Sequence, residues 1–214
     1  MWSRRDFLGV GLRVGAATGL GVALAGCGDN DAQPDGSDGD GSCHPTRGDL
    51  EGPFFEPGAP HRVRIADDSE PGERLDLDGV VLDADCTTPL AGVVIEVWQA
   101  DRTGAYHGPD EQYRLRGIVV SDDQGRFRVE TIMPGRYLNG GPGDYRPAHV
   151  HFKLNAPGHA ELTTQIYFAG DPYLAPQDSC ATCGSDDPDR ILSLSGSASA
   201  GWSGDLSVVL ARQS

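Results

Sequence analysis

YLNGGPGDYRPAHVHF, residues 137–152, is the stretch on which the fold turns. Its end, from Ala148 to Leu154, alternates in character and reads as a β-strand. On a strand, successive side chains point to opposite faces, so His149 and His151 share one face while Val150 and Phe152 take the other. Ahead of the strand lies a Gly-rich loop that separates Tyr137 from Arg146. Two imidazoles two residues apart on a strand can give two nitrogens to one metal ion. The same pattern also suits a surface strand that merely carries two histidines.

Working outward, other short segments alternate in the same way. Leu75 to Asp83, Gly92 to Trp98, Leu162 to Phe168 and Leu206 to Arg212 each predict a strand. Arg116 to Ser121 and Arg126 to Ile132 predict a hairpin around Asp122-Asp123-Gln124-Gly125. Ala148 to Leu154 and Leu162 to Phe168 predict a second pair, joined through Pro157-Gly158. No long segment of helical period separates them, and Gly (30) and Pro (15) are abundant in the 214 residues. The expected fold class is all-β: a β-sandwich of mainly antiparallel strands, with long loops carrying the metal site.

The formal charge of −15, with Lys153 as the only lysine, argues against binding nucleic acid or anionic lipid by charge. An anionic substrate would need a local cation. Residues 1–27 read as an export signal: Ser3-Arg4-Arg5-Asp6-Phe7-Leu8 matches the twin-arginine consensus, and Leu24-Ala25-Gly26-Cys27 resembles a lipobox. The expectation is an exported protein of the cell envelope or periplasm, anchored through a lipid on Cys27. Residues 28–42 are a Gly/Asp/Ser tether without apolar residues beyond one alanine. Residues 43–214 form the expected folded domain, and its four cysteines suggest two disulfides in an exported protein. Cys43 with Cys86 and Cys180 with Cys183 is the simplest pairing, although spacing alone leaves connectivity open.

Six histidines follow the signal. His44, His61, His107 and His159 lie in polar, loop-like surroundings and are expected to be solvated. No carboxylate stands where a 2-His-1-carboxylate site or a cupin would need one; Glu161 follows a Pro-Gly turn, too far on. The polar groups near the histidine pair in the pattern are Tyr137, Tyr145 and, further back, Tyr106. A phenol, with a pKa near 10, coordinates well only to a cation strong enough to strip its proton. Ferric iron suits that donor set better than Zn²⁺ or Fe²⁺.

Several segments then add up. They are Glu51-Gly52-Pro53-Phe54-Phe55; Val97-Trp98-Gln99-Ala100-Asp101 with Gly104-Ala105-Tyr106; and Thr131-Ile132-Met133-Pro134-Gly135-Arg136-Tyr137. Arg146-Pro147-Ala148-His149-Val150-His151-Phe152 and Thr164-Gln165-Ile166-Tyr167-Phe168 follow. Together they resemble the intradiol ring-cleavage dioxygenases, non-haem Fe(III) enzymes of the protocatechuate 3,4-dioxygenase type. The resemblance implies Fe(III) held by Tyr106, Tyr137, His149 and His151, with Tyr137 the ligand that leaves when substrate binds. It implies catalytic roles for Arg146, Gln165 and Tyr137. It also implies a small aromatic diol and O2 as partners, cut between the hydroxyl-bearing carbons to a cis,cis-muconate-type diacid. Phe54, Phe55 and Asn139 depart from the family pattern, which alters the expected pocket wall. A non-catalytic β-sandwich spacer or binding module is the alternative; it accounts for the fold but not for Tyr106 together with the Arg146–His151 run.

Overall fold

The computed structural model describes residues 43–108 and 111–213. The twin-arginine signal, the lipobox Cys27 and the tether lie outside the described residues. Eleven strands build the domain: β1 (Arg74–Leu82), β2 (Val94–Gln99), β3 (Arg116–Val120), β4 (Arg126–Ile132), β5 (Tyr137–Leu138), β6 (Tyr145–Arg146), β7 (His149–Asn155), β8 (Leu162–Phe168), β9 (Ile191–Leu192), β10 (Ser195–Ser197) and β11 (Gly201–Val209). One turn of 3-10 helix, Pro188–Arg190, precedes β9.

The strands form two main sheets, ordered β10-β11-β1-β4 and β3-β2-β7-β8-β9, with β5 and β6 as a separate ribbon. The all-β sandwich expected from the sequence is the fold observed. Most pairs are antiparallel, but β1 runs parallel to β11 and β8 parallel to β9. The predicted pairing of β7 with β8 is present, in register from His149 opposite Tyr167 to Leu154 opposite Leu162.

The hairpin expected between β3 and β4 is not. β3 pairs with β2 and β4 with β1, so the turn between them carries the chain from one sheet to the other. Asp122 accounts for this crossing. Its carboxylate accepts from the amides of Gln124 and Arg126 and its amide donates to the Arg126 carbonyl, so the turn closes locally while no ladder continues between β3 and β4. Gly125 completes the crossing with a positive φ of 70°, against the Val81 carbonyl.

Inward side chains of the two sheets form one core. β1 gives Leu75, Leu77 and Val81, β4 gives Phe127 and Val129, and β7 gives Val150, Phe152 and Leu154. Burying such side chains contributes about 1.5–3 kcal/mol each. The other face of β7 carries the histidines, and it too is buried. A segment without regular structure, residues 46–65, covers it. Its hydrogen bonds run from Asp49 to the Thr163 carbonyl, and between the Pro60–Arg62 stretch and Ile118.

Both expected disulfides are present, Cys43–Cys86 and Cys180–Cys183. Two of the histidines expected to be solvated are not. His107 and His159 have side chains only 12% and 11% exposed and hydrogen-bond to Asp101 and Asp83. Buried carboxylates on neighbouring loops recruited them as partners, which local polarity could not reveal.

Candidate metal centre

Three donor atoms meet above β7. The Tyr106 Oη lies 3.1 Å from the His149 Nε2 and 3.1 Å from the His151 Nε2, and the two nitrogens are 3.2 Å apart. The strand's alternation brings the histidines together. Tyr106 arrives from the loop after β2, whose shape is set by Asp101. The Asp101 Oδ1 accepts from the Thr103 amide and hydroxyl and from the Ala105 amide. Burial alone would raise the Asp101 pKa, but these bonds and that from His107 outweigh it and pull it down to about 2.

Gly104 and Gly135 let this loop press against the one before β5. A Cβ on Gly104, at φ +87°, would overlap the Arg136 carbonyl, and one on Gly135 would meet the Gly104 amide. This backbone contact puts Tyr137 beside Tyr106, ring centroids 5.8 Å apart and edge-on. Tyr137 makes no hydrogen bond to either histidine among the described residues. Tyr145 turns away, with its ring against Tyr173. Phe54 lies flat on Tyr106 at 4.2 Å and edge-on to Tyr137 at 5.2 Å, and Trp98 lies flat on His151 at 4.6 Å. Phe55 stands against Trp98. Phe54 therefore walls the site with Phe55 one layer back behind Trp98, whereas Asn139 lies exposed on the β5–β6 loop.

Protons decide whether a cation fits here. The His149 Nδ1 donates to the Pro147 carbonyl at 2.7 Å, so its Nε2 presents a lone pair. Burial, reinforced by the Arg146 charge, lowers the His149 pKa to about 4, and burial with His149 alongside holds His151 well below its usual value. Both imidazoles are therefore neutral. Three close contacts share at most two protons, one from Tyr106 and one from His151. If the His151 proton sits on Nε2, its buried Nδ1 is left as an acceptor without a donor; if on Nδ1, it is a donor without an acceptor. Three lone pairs converging at this spacing are poorly satisfied by hydrogen bonds and well matched to a metal ion. No three His, Cys, Asp or Glu side chains cluster among the described residues, so a metal here would depend on phenol oxygen. Burial raises the Tyr106 pKa, so only a strongly polarising cation would strip that proton. The residues fit a ferric ion.

Arg146 stands buried behind the pair. Its Nε donates to the Asp178 Oδ1 at 2.9 Å, and its Nη2 to the Gln165 Oε1 and Tyr167 Oη, both at 2.9 Å. Gln165 is in turn engaged with the Leu50 carbonyl, and Tyr167 with the Asp49 carboxylate. Among the described residues the Arg146 Nη1 donates to nothing. The structure thus brings together Tyr106, His149, His151, Arg146 and Gln165, with Tyr137 at the margin.

Two participants were not found by reading the sequence. Asp178 lies on a distant loop and carries no local pattern. Arg116 was visible only as the first residue of a predicted strand. It is 3% exposed and bonded solely to the carbonyls of Phe54 and His107, so it is a buried cation close to Tyr106 with no carboxylate partner among the described residues. An arginine opening a strand that is otherwise apolar was the available signal.

The family model described as Dioxygenase matches residues 50–204. The catechol 1,2-dioxygenase of Acinetobacter baylyi is 39% identical over 145 residues, 58% of this chain and 46% of that protein. The chain thus spans about half the length of that relative. Among solved structures, the dioxygenase domain of a dioxygenase carbohydrate-binding protein fusion from Streptomyces sp. SirexAA-E is 36% identical. It aligns with a TM-score of 0.66 over 79% of this chain and 99% of that one. The 3-chlorocatechol 1,2-dioxygenase of Rhodococcus opacus is 28% identical, with a TM-score of 0.71 over 80% of this chain and 75% of that one. With the family model matched across both main sheets and the face that carries the histidine pair, the chain belongs to the intradiol dioxygenase family.

Proposed function

We propose that this protein cleaves the ring of a catechol-type diol between its two hydroxyl-bearing carbons, using O2 and a ferric ion held by Tyr106, Tyr137, His149 and His151. The observation that carries this reading is the convergence of the Tyr106 Oη and both histidine Nε2 atoms within 3.2 Å. When bound, the ferric ion supplies Lewis acidity and a template for a chelating diolate. The chain's own groups do the rest. His149 and His151, neutral by burial, give lone pairs without competing protons. Tyr106 stays as the fixed phenolate, wedged between Phe54 and the histidines. Tyr137, beside Tyr106 at the margin, would give way to the diol and take up one of its two protons at Oη, the other passing to hydroxide from solvent. Arg146 keeps Nη1 for a substrate oxygen, offsetting the diolate charge inside an acidic protein. Gln165 has both ends of its amide engaged, so its role is to hold Arg146. Phe54, Phe55 and Trp98 exclude water from the reacting ring.

Oxygen uptake with catechol, protocatechuate and hydroxyquinol, followed by absorbance of the diacid, tests the activity. The iron-replete protein is expected to be burgundy from tyrosinate-to-iron charge transfer. Tyr106→Phe and His149→Ala are expected to abolish cleavage, His149→Ala with loss of iron; full turnover by either variant removes that ligand. We further propose that residues 1–27 direct export and that Cys27 carries a lipid; fatty-acid labelling abolished by Cys27→Ser tests this.

A further inference from the structure

The Arg146–Asp178 pair is more enclosed than an ordinary ion pair: the two side chains are 8% and 2% exposed. Asp178 belongs to neither sheet. It sits in the loop between β8 and β9, and that loop is held to the site at several points. The Asp178 Oδ1 that accepts from Arg146 also accepts from the Cys180 amide at 2.9 Å. The Ser179 amide donates to the Tyr145 carbonyl, beside Arg146. Cys180 is crosslinked to Cys183. The Gly184 amide then binds the Asp49 carboxylate, the same carboxylate that receives the Tyr167 hydroxyl. The short crosslinked turn therefore connects two of the guanidinium's three partners, Asp178 directly and Tyr167 through Asp49.

We propose that Asp178 is a positioning residue for Arg146 and that the Cys180–Cys183 crosslink holds Asp178 in place. This rests on the function proposed above. A guanidinium has five N–H donors in a rigid fork, so fixing the Nε and Nη2 edge fixes where Nη1 points. Gln165 and Tyr167 supply neutral acceptors at Nη2 only. Among the described residues Asp178 is the one partner that binds Nε, and it matches the charge and also reaches Nη2 at 3.4 Å. Without it the buried cation lacks a counterion and turns toward water or toward another carboxylate. A loop without regular secondary structure has many conformations available, and the crosslink removes most of those that withdraw Asp178.

The test uses the full chain as wild type, Asp178→Asn, Asp178→Ala, Cys180→Ser/Cys183→Ser and the triple variant with Asp178→Ala. Two readouts are taken. In the iron-loaded protein, anaerobic titration with 4-nitrocatechol is followed by visible absorbance alongside iron content. In the metal-free protein, exchange of the Arg146 Nε–H is followed by nitrogen-edited NMR, the signal assigned by its loss in Arg146→Lys. Asp178→Ala and the double serine variant are each expected to weaken nitrocatechol binding about tenfold at unchanged iron content. Each is also expected to speed Nε–H exchange about tenfold or more. Because both changes act through one contact, the triple variant is expected to be no weaker than Asp178→Ala. Binding within twofold of wild type or tighter, weakening only in proportion to lost iron, or multiplied effects in the triple variant each overturn the proposal. Asp178→Asn can keep the two contacts to Oδ1 but loses the charge and the longer contact of the Arg146 Nη2 to Oδ2 at 3.4 Å. Should Asp178→Ala fail to fold, wild-type affinity and exchange in Asp178→Asn overturn the proposal, and a several-fold change in both sustains it. A wild type that binds no diol but shows the exchange differences overturns the proposed function and leaves the clamp standing.

Discussion

The α-carbon of Gly104 faces the carbonyl of Arg136 so closely that no side chain fits between them. This contact joins the loop that carries Tyr106 to the loop that carries Tyr137, and it fixes the spacing of the two phenols. Gly104→Ala is expected to cost on the order of 2–3 kcal/mol, from the clash and the positive φ together. It should also reduce bound iron. The thermal midpoint and the iron-to-protein ratio check both effects, and a variant with wild-type values for both removes the spacing role.

Arg146→Ala removes a buried cation that touches none of the three converging donor atoms. Iron content is expected to hold while turnover falls about 10- to 100-fold. Arg146→Lys restores charge but is a single ammonium point, unable to reach Asp178, Gln165 and Tyr167 in the same planar fork. It is expected to recover only a minor part of the rate, measured as kcat at saturating diol.

Asp101 makes the Tyr106 loop acid-sensitive. Its pKa in the folded protein lies at about 2, below the 3.8 of a free aspartate. A depressed carboxylate stabilises the fold fully above the unfolded value, and that contribution is lost as pH falls through the folded one. The difference in stability between wild type and Asp101→Asn is therefore expected to be constant above about pH 4 and to vanish toward pH 2. Denaturant titrations of the metal-free proteins at stepped pH measure it. A difference unchanged across that window excludes the role of the carboxylate charge.

The Cys43–Cys86 bridge closes a loop of 43 residues by sequence separation. Replacing both cysteines with serine is expected to cost about 3–4 kcal/mol, on the chain-entropy view of crosslinks. Urea unfolding of the double variant reports the loss. Because no hydrogen bond among the described residues joins Cys43 or Cys86 to Arg146 or its partners, diol affinity is expected to stay near wild type.

What could be read from the sequence divides along physical lines. β7 and its histidine pair were legible because alternation is a local property and burial of Val150, Phe152 and Leu154 enforces it. The pairing of β3 and β4 was misread because alternation says nothing about which sheet receives a strand, and the Asp122 turn resembles a hairpin turn in composition. β11 was placed from Leu206, yet it begins at Gly201, where glycine and serine hide a strand that Trp202 helps to anchor. Tyr106 was legible only through its motif. Asp178 was not legible at all, because its partner is 32 residues away and the loop between them has no period.

The parallel pairing of β1 with β11 has a consequence for how the molecule is made. β1 is an inner strand, flanked by β4 and β11, and one flank stays open until residues 201–209 have left the ribosome. Chain growth alone therefore cannot complete the first sheet piece by piece. The partly made domain would expose a long strand edge, apolar on one face, of the kind that invites aggregation. Closure joins the first and last long strands across nearly the whole domain, a contact of very high sequence separation that folds slowly. A nascent chain of this protein would need shielding until its final strand arrives, and the finished sandwich would then form in one cooperative step.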